Sequence, residues 1–511
     1  MVPPADLPPA GPPPGKPQVA SFLPSAVGYE IFVRSFADSN GDGNGDLQGI
    51  TAHLDYLADL GVNLLWLTPI HPSPSYHGYD VTDYDAVHPD FGTAADLDQL
   101  LGEAHRRGMR VILDLVANHT SNQHPWFVAA QKDAPTGGPE AGRYLFRRDD
   151  PGWPSGGRHY FKPLPGTTGP YYYSYFSGSL PDLNYRDPRV VQAMQAVVTH
   201  WLAVGADGYR LDAARYLVEW PDPVSAISEP AVADTADNHR VLHGFRAVAE
   251  AHGGSAPLIG EVWTDVDTIA SYRGEGDELH ACFHFPLAGA LLDGVQRGDP
   301  QPIRDALVAT LRTTVPLGFF APFLSNHDQQ RSATTLMADP ARMRLAATLL
   351  LAMPGPPFLY YGEEIGLGQS KDPKDSGDRA QRTPMPWGLA QQQQADPSSL
   401  RSHYRRLIQL RNSTPALRDE RTQVLDASDG RLLALGRGSG PQAVVAVFNL
   451  AADAVAGAKV NLPGDYPSGA QKDLLTAADA PAVTEDNRAR YPLPAVPARG
   501  AVFLTASTAA P

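Results

Sequence analysis

The sequence is nearly devoid of cysteine. One thiol, Cys282, in 511 residues excludes an internal disulfide. Positive charge is also short: 41 Lys and Arg stand against 56 Asp and Glu, a net charge of −15. That balance disfavours nucleic acid as a partner and suits a neutral substrate. No apolar run reaches the roughly 18–20 residues of a membrane span, so no span is expected. No glycine-rich phosphate loop follows the first apolar strand, which argues against an open dinucleotide-binding sheet. The first twenty residues, "MVPPADLPPAGPPPGKPQVA", have no basic stretch followed by an apolar core. Eight of them are proline, a composition that stays extended rather than packing. Residues 1–22 are therefore expected to form a leader or linker. Its likeness to a processed export segment points to a secreted or periplasmic protein, with a cytoplasmic origin left open.

The chain does have a long alternation of short apolar runs and amphipathic stretches. The runs are "GYEIFV", "NLLWLTPI", "RVILDLVANH", "DGYRLDAA", "PLIGEVW", "ELHACFHF", "APFLSNHD" and "PPFLYYGEE". Between two of them, Asp187 caps a helix and Pro188 suits its first turn. Val190, Met194, Val197, Val198 and Trp201 fall on one stripe, and Gly205 ends it. Eight strand–helix repeats predict an α/β fold, a (β/α)8 TIM barrel of parallel strands. The expected barrel covers 23–118 and 186–415. Residues 119–185, rich in Gly, Pro and Tyr, are too long for a connection and predict an inserted lobe after strand three. Over 416–511, "RLLALGRG", "QAVVAVFNL" and "GAVFLTA" alternate like strands of a C-terminal antiparallel β-sandwich. The run Gln391–Gln394 reads as an exposed loop.

In such a barrel the chemistry sits at the C-terminal strand ends. Polar residues that end apolar strands are Asp114, Asn118 and His119; Arg210 and Asp212; Glu261; and Asn326, His327 and Asp328. Asp212, Glu261 and Asp328 thus converge on one mouth. Buried charges are costly unless paired or used, so a trio of carboxylates with two histidines and an arginine signals a site. Glycoside hydrolysis needs such a set: one carboxylate to attack the anomeric carbon and one carboxylic acid to protonate the leaving oxygen. Arg210, two residues before Asp212, projects to the same side and keeps it ionised.

A second feature is "DSNGDGNGDLQG", Asp38–Gly49. Its oxygen-bearing residues occupy positions one, three, five and nine of a calcium-loop pattern, and Gly43 the sixth. The twelfth is Gly49, so the bidentate Glu of an EF-hand is missing. The loop also joins a strand to a helix, where an EF-hand needs two helices.

"DLVANH", "GYRLDAARY", "GEVW" and "FLSNHD", in this order, with "LPDLN" in the inserted lobe, resemble the signatures of the α-amylase family, glycoside hydrolase family thirteen. The resemblance covers residues 25–511 and is closest to α-amylases between the oligo-1,6-glucosidase and neopullulanase branches. It implies that Asp212 is the nucleophile, Glu261 the general acid/base and Asp328 a carboxylate that favours the distorted transition state. His119, His327, Arg210 and Tyr79 would line the subsite of the attacked glucose, with Arg215 near the leaving-group side. Asp80 and Asp114 would hold the site's shape. It further implies structural Ca²⁺ held by Asp38, Asn40, Asp42 and Asp46 and by the carbonyl of Asn44. A second calcium site would use Asn118 and Asp182, although Asn184 departs from the pattern there. Exo-acting members carry an acidic clamp three positions before the subsite tyrosine. Tyr76 stands there and points to an endo-acting α-amylase on α-1,4 bonds of starch and maltooligosaccharides. The alternatives are a transglycosylase, a trehalose-forming isomerase or an oligo-α-glucosidase; a non-catalytic carbohydrate-binding homologue is the remote one. A monomer is expected.

Overall fold

Each of the eight apolar runs contributes a parallel strand to one ring. The computed structural model describes residues 22–507 apart from 151–153, 156–157, 167–168, 220–231 and 253–255. All of the expected leader but Phe22 lies outside the described residues. The strands are β1 Gly28–Ile31, β2 Leu64–Leu67, β3 Arg110–Leu115, β4 Gly208–Leu211, β5 Leu258–Gly260, β6 Ala281–Phe283, β7 Phe320–Ala321 and β8 Phe358–Tyr360. Their spatial order is β7-β6-β5-β4-β3-β2-β1-β8. A parallel bridge between Phe323 and Phe358 joins the two ends into a barrel. Gly28 is required where β1 meets β8, because a Cβ there would lie 2.3 Å from the Phe358 ring.

Strand alternation divides the side chains between two cores. Leu64, Trp66, Ile112, Ile259, Ala281, Phe283, Ala321 and Phe358 fill the barrel interior. Their neighbours Leu65, Leu67, Val111, Leu113, Tyr209, Leu211, Leu258, Cys282 and Leu359 pack outward against the helices. Each fully buried aliphatic or aromatic side chain of this kind contributes roughly 1.5–3 kcal/mol. The surrounding helices include Ala94–Arg106, Pro188–Val204, Ala236–Ala251, Phe285–Arg297 and Pro340–Ala352. The one predicted in detail, Pro188–Val204, begins at Asp187, whose side chain accepts from the Arg189 N–H, and ends at Gly205.

Between β3 and β4 the chain leaves the barrel and forms a three-stranded antiparallel sheet of Phe146–Arg147, Tyr171–Tyr173 and Phe161–Pro163. A bridge between His119 and Asp182 ties it to the strand end. After the barrel come six antiparallel strands in the order Thr422–Leu425, Leu432–Arg437, Val444–Asn449, Gly500–Ala506, Gly469–Asp473 and Asp479–Val483. One face of this sheet, with Leu433, Leu435, Phe448 and Phe503, joins the barrel's outer core. The other, with Leu432, Ala434, Val445, Val447 and Leu504, closes over a separate core. No described helix is long and apolar enough to cross a membrane.

The glutamine run departs from expectation. Gln391–Gln394 lies within a helix, Trp387–Ala395, rather than a loop. Gln is a good helix former, and the helix is anchored at both ends. The Trp387 indole donates to the Phe36 carbonyl and Gln393 Nε2 to the Ile365 carbonyl.

Candidate active site

Inward-facing positions of β1–β4 carry Glu30, Trp66, Asp114 and Arg210, polar groups where the layers below are apolar. Arg210 is 1% exposed. One of its terminal nitrogens donates to Asp114 Oδ1 and Oδ2 (2.8 and 3.0 Å) and to Asp212 Oδ1 (2.8 Å). The other donates to Glu261 Oε2 at 2.6 Å. The guanidinium also stands over the Trp66 ring, 4.9 Å from its centroid, and the Trp66 indole donates to Asp114. Asp212 and Glu261 each sit one residue beyond a strand end. Ala213 takes a left-handed φ of 48° and donates its N–H to Glu261 Oε2, so the turn after β4 aims Asp212 and steadies Glu261 together.

Asp328 completes the trio from the segment after β7. Arg382 donates to its Oδ1 at 2.6 Å, and His327 Nε2 lies 3.2 Å from its Oδ2. All three carboxylates, with Tyr79, His119 and Arg215, line one open cleft of about 590 Å³. The predicted residues are therefore brought together. His327 is fully buried beneath them, its Nδ1 2.6 Å from Glu30 and its Nε2 2.7 Å from the Tyr79 hydroxyl. The Tyr79 and His327 rings stack at 5.4 Å and 9°. The Tyr79 hydroxyl also donates to Asp114.

The electrostatics separate these groups. Burial pushes Glu261 up to about 7; Arg210 opposes this and the charges of Asp212 and Asp328 add to it. Burial also raises Asp212, to about 6, from the lower ordinary value of an aspartate; Arg210 opposes the rise, and the charges of Asp114 and Asp328 add to it. Burial acts in the same direction on Asp328, but His327 and Arg382 reverse it and hold that carboxyl below its ordinary range. The two histidines diverge as well. Burial pushes His119 down to about 3, so its ring is neutral. Burial also disfavours charge on His327, but Asp328 and Glu30 raise it to about 10.

Several cleft residues carried no role in the sequence reading. Arg382, 4% exposed at its side chain, joins Asp328, Asp378 and the Tyr76 hydroxyl. Arg379 covers the Tyr76 ring at 3.6 Å, so Tyr76 faces this charged segment. Phe176 and Trp263, 42% and 49% exposed, present aromatic faces at the mouth. Arg215 is fixed from behind by Asp234 (2.7 Å) and donates to the Trp263 carbonyl. A charged Glu30 inside the apolar run "GYEIFV" was the one local signal available.

The acidic loop lies apart from the cleft. Asp38 accepts N–H donors from Asn40, Gly41 and Gly43, and those of Gly43 and Gly41 hold its carboxyl below the ordinary range. Asn40 and Asp42 accept from the backbone two residues on. Asp46 accepts from Ser39 and caps the next helix through the Gly49 N–H. Asn44 Oδ1 is taken by Arg34, which leaves its carbonyl as the donor. Gly41 and Gly43 adopt φ values of 81° and 93°, with nothing within 4 Å of a Cβ placed there. An all-oxygen set of acids and amides around an open turn fits a hard cation. Near β3, Asn118 Oδ1, Asp182 Oδ1 and Glu219 Oε1 are buried without a hydrogen-bond partner. Asn184 is not part of that group, being engaged with Gly142 and Arg186.

Comparison with known proteins agrees with this geometry. Residues 30–420 match the model of the alpha amylase catalytic domain. Alpha-amylase 3 of Dictyoglomus thermophilum is 34% identical over 453 residues, covering 83% of this chain and 85% of the relative. The trehalose synthase/amylase TreS of Mycolicibacterium smegmatis is 36% identical over 423 residues, 73% of this chain and 68% of the relative. The crystal structure of alpha-amylase from H. orenii superposes with a TM-score of 0.75 at 32% identity, covering 94% of this chain and 99% of that one.

Proposed function

We propose, from the premise that this chain belongs to the α-amylase family of glycoside hydrolases and transglycosylases, that it is an endo-acting α-amylase. It cleaves α-1,4 bonds of starch and maltooligosaccharides with retention of configuration. The observation that carries this reading is the shared guanidinium. Asp212 and Glu261 are bound to neighbouring nitrogens of Arg210, which supports the short carboxyl separation, about 5–5.5 Å, of retaining enzymes.

In this mechanism Asp212 enters ionised and attacks the anomeric carbon while Glu261 gives its proton to the glycosidic oxygen. The aglycone leaves, and Asp212 is left esterified to the sugar. Glu261, now ionised, takes a proton from water, which attacks the same carbon and restores Asp212. Asp328 faces the sugar hydroxyls beside cationic His327. Neutral His119 lines the same subsite with its N–H bound to the Tyr79 carbonyl, and Tyr79 offers its aromatic face. Trp263 and Phe176 supply apolar faces to flanking glucose units.

One observation favours a second reading. Asp378 and Arg382 stand at the Tyr76 side of the cleft, where a carboxylate and a guanidinium suit the hydroxyls of a chain end. That arrangement suits an oligo-α-glucosidase, or a transfer reaction of the kind in the name of the trehalose synthase/amylase relative. A time course on soluble starch, maltotriose and pullulan separates the readings. Endo-action releases mixed maltooligosaccharides from starch early. Early release of glucose alone, or appearance of trehalose or longer oligomers from maltotriose, overturns it. Proton NMR of fresh products is expected to show the α-anomer first.

Calcium belongs to the same proposal. Asp38, Asn40, Asp42 and Asp46, with the Asn44 carbonyl, would hold Ca²⁺ as a structural brace of the β1 loop. The orphaned oxygens of Asn118, Asp182 and Glu219 are the observation that fits a second ion.

A further inference from the structure

On the outer flank of the barrel, the helix Ala236–Ala251 carries two histidines one turn apart, His239 and His243. They face Asp277 and Glu278, in the segment that leads into β6. His243 Nε2 lies 3.4 Å from Glu278 Oε1, and His243 Nδ1 lies 3.4 Å from Asp277 Oδ2. One donor atom from each of His243, Asp277 and Glu278 falls within 4.8 Å of the others, the one such group of His, Cys, Asp and Glu among the described residues. His239 Nδ1 is 2.7 Å from the second oxygen of Glu278. None of these residues lines the cleft.

The turn is built to gather the two carboxylates. Gly274 has φ +56°, and a Cβ there would lie 2.6 Å from Asp277 Oδ1 and 2.8 Å from Glu278 Oε1. Only glycine leaves room for both oxygens. The Glu275 N–H donates to Asp277 Oδ1, and Arg246 from the same helix donates to the Glu278 carbonyl at 3.1 Å. An imidazole ligates through one nitrogen, and one donor atom from each of the three residues already lies within 4.8 Å of the other two, near enough for a small closure to bring them to bonds of about 2.0–2.1 Å.

We infer that His243, Asp277 and Glu278 form a binding site for a divalent transition-metal ion of the Zn²⁺ class, with His239 orienting Glu278 from behind. One imidazole and two carboxylates suit such an ion better than Ca²⁺, whose ligands are oxygens. His239 donating to a ligating carboxylate is the supporting contact such sites use. Side-chain exposures of 31% for His243 and 24% for Asp277 leave an entry path and a position for water. The bound ion would pin the helix to the turn.

The test uses the full chain stripped with chelator and returned to excess Ca²⁺, then titrated with Zn²⁺ by calorimetry. The wild type is expected to bind one equivalent at micromolar or tighter affinity, with a rise in melting temperature. His243→Ala and Asp277→Asn should each weaken this binding at least tenfold and abolish the rise. Their starch hydrolysis in the absence of Zn²⁺ should be unchanged, since neither touches the cleft. Co²⁺ should give the wild type a ligand-field spectrum that His243→Ala lacks. Circular dichroism confirms that the variants are folded, and the milder Asp277→Asn stands if His243→Ala is not. Equal Zn²⁺ stoichiometry and affinity in wild type and folded variants overturns the proposal. So does a wild type that binds no Zn²⁺ up to millimolar concentration.

Discussion

Arg210 holds Asp212 through one terminal nitrogen and Glu261 through the other, at 2.8 and 2.6 Å. The two carboxylates that the chemistry must distinguish are thus tied to a single cation. Burial raises both against the pull of Arg210, Asp212 to about 6 and Glu261 to about 7.

Asp212→Asn and Glu261→Gln are nearly isosteric changes at the cleft surface. Each is expected to lower kcat on starch by roughly 10³-fold or more while the fold persists. Activity within tenfold of wild type in either variant would refute the assigned roles. Arg210→Ala is a different case. It leaves Asp114 buried without its cation, though still accepting from Trp66 and Tyr79, and a loss of about 3–5 kcal/mol is expected in denaturant unfolding.

The rate should be bell-shaped in pH. In the proposed mechanism attack needs Asp212 ionised, so activity rises through about 6. Protonation of the leaving oxygen needs Glu261 protonated, so activity falls through about 7. The limbs report the pair, because the two groups interact through Arg210. A profile of kcat/KM that stays flat from pH 5 to pH 9 would contradict this assignment.

Glu261 also predicts a trade of stability for function. Its folded value, about 7, lies above the ordinary 4.5. Between those pH values the folded state keeps a proton that the unfolded state has lost, so this group costs stability as pH rises, in full above about 7. Gln cannot ionise and escapes that cost. The melting temperature of Glu261→Gln minus that of wild type is expected to grow from pH 5 to pH 8. A difference that shrinks over this range would show that the Arg210 contact outweighs burial.

How much of this was legible in the chain depends on the range of the interaction. All eight strands were readable because an apolar run ending in polar residues is a local pattern. Asp212, Glu261 and Asp328 followed from that pattern once strand ends were placed on one rim. Glu30 and Arg382 did not. Glu30 reaches His327 across 297 residues and Arg382 reaches Asp328 across 54; an acid inside an apolar run hints at Glu30, but nothing local names either partner. The glutamine run failed for the same reason. Its helix is held by Phe36 and Ile365, both distant in sequence. The His243–Asp277–Glu278 cluster joins a helix to a turn that shares no motif with it.

Removal of calcium should separate stability from chemistry. In the acidic loop Asp38 and Asp42 are exposed carboxylates; Asp38 accepts from three backbone N–H groups and Asp42 from one, and the proposed Ca²⁺ would hold both. The loop is continuous with β1, which carries Glu30 beneath His327, but none of its side chains lines the cleft. Excess chelator is therefore expected to lower the melting temperature by several degrees while kcat at 25 °C changes less than about twofold, since a bound ion adds RT ln(1 + [L]/Kd) to the folded state alone. Asp42→Asn should reduce the calcium-dependent part of that shift and leave the pH profile in place. A melting temperature indifferent to chelator, in a protein shown by elemental analysis to have carried no calcium, would leave the loop as a turn held by its own backbone.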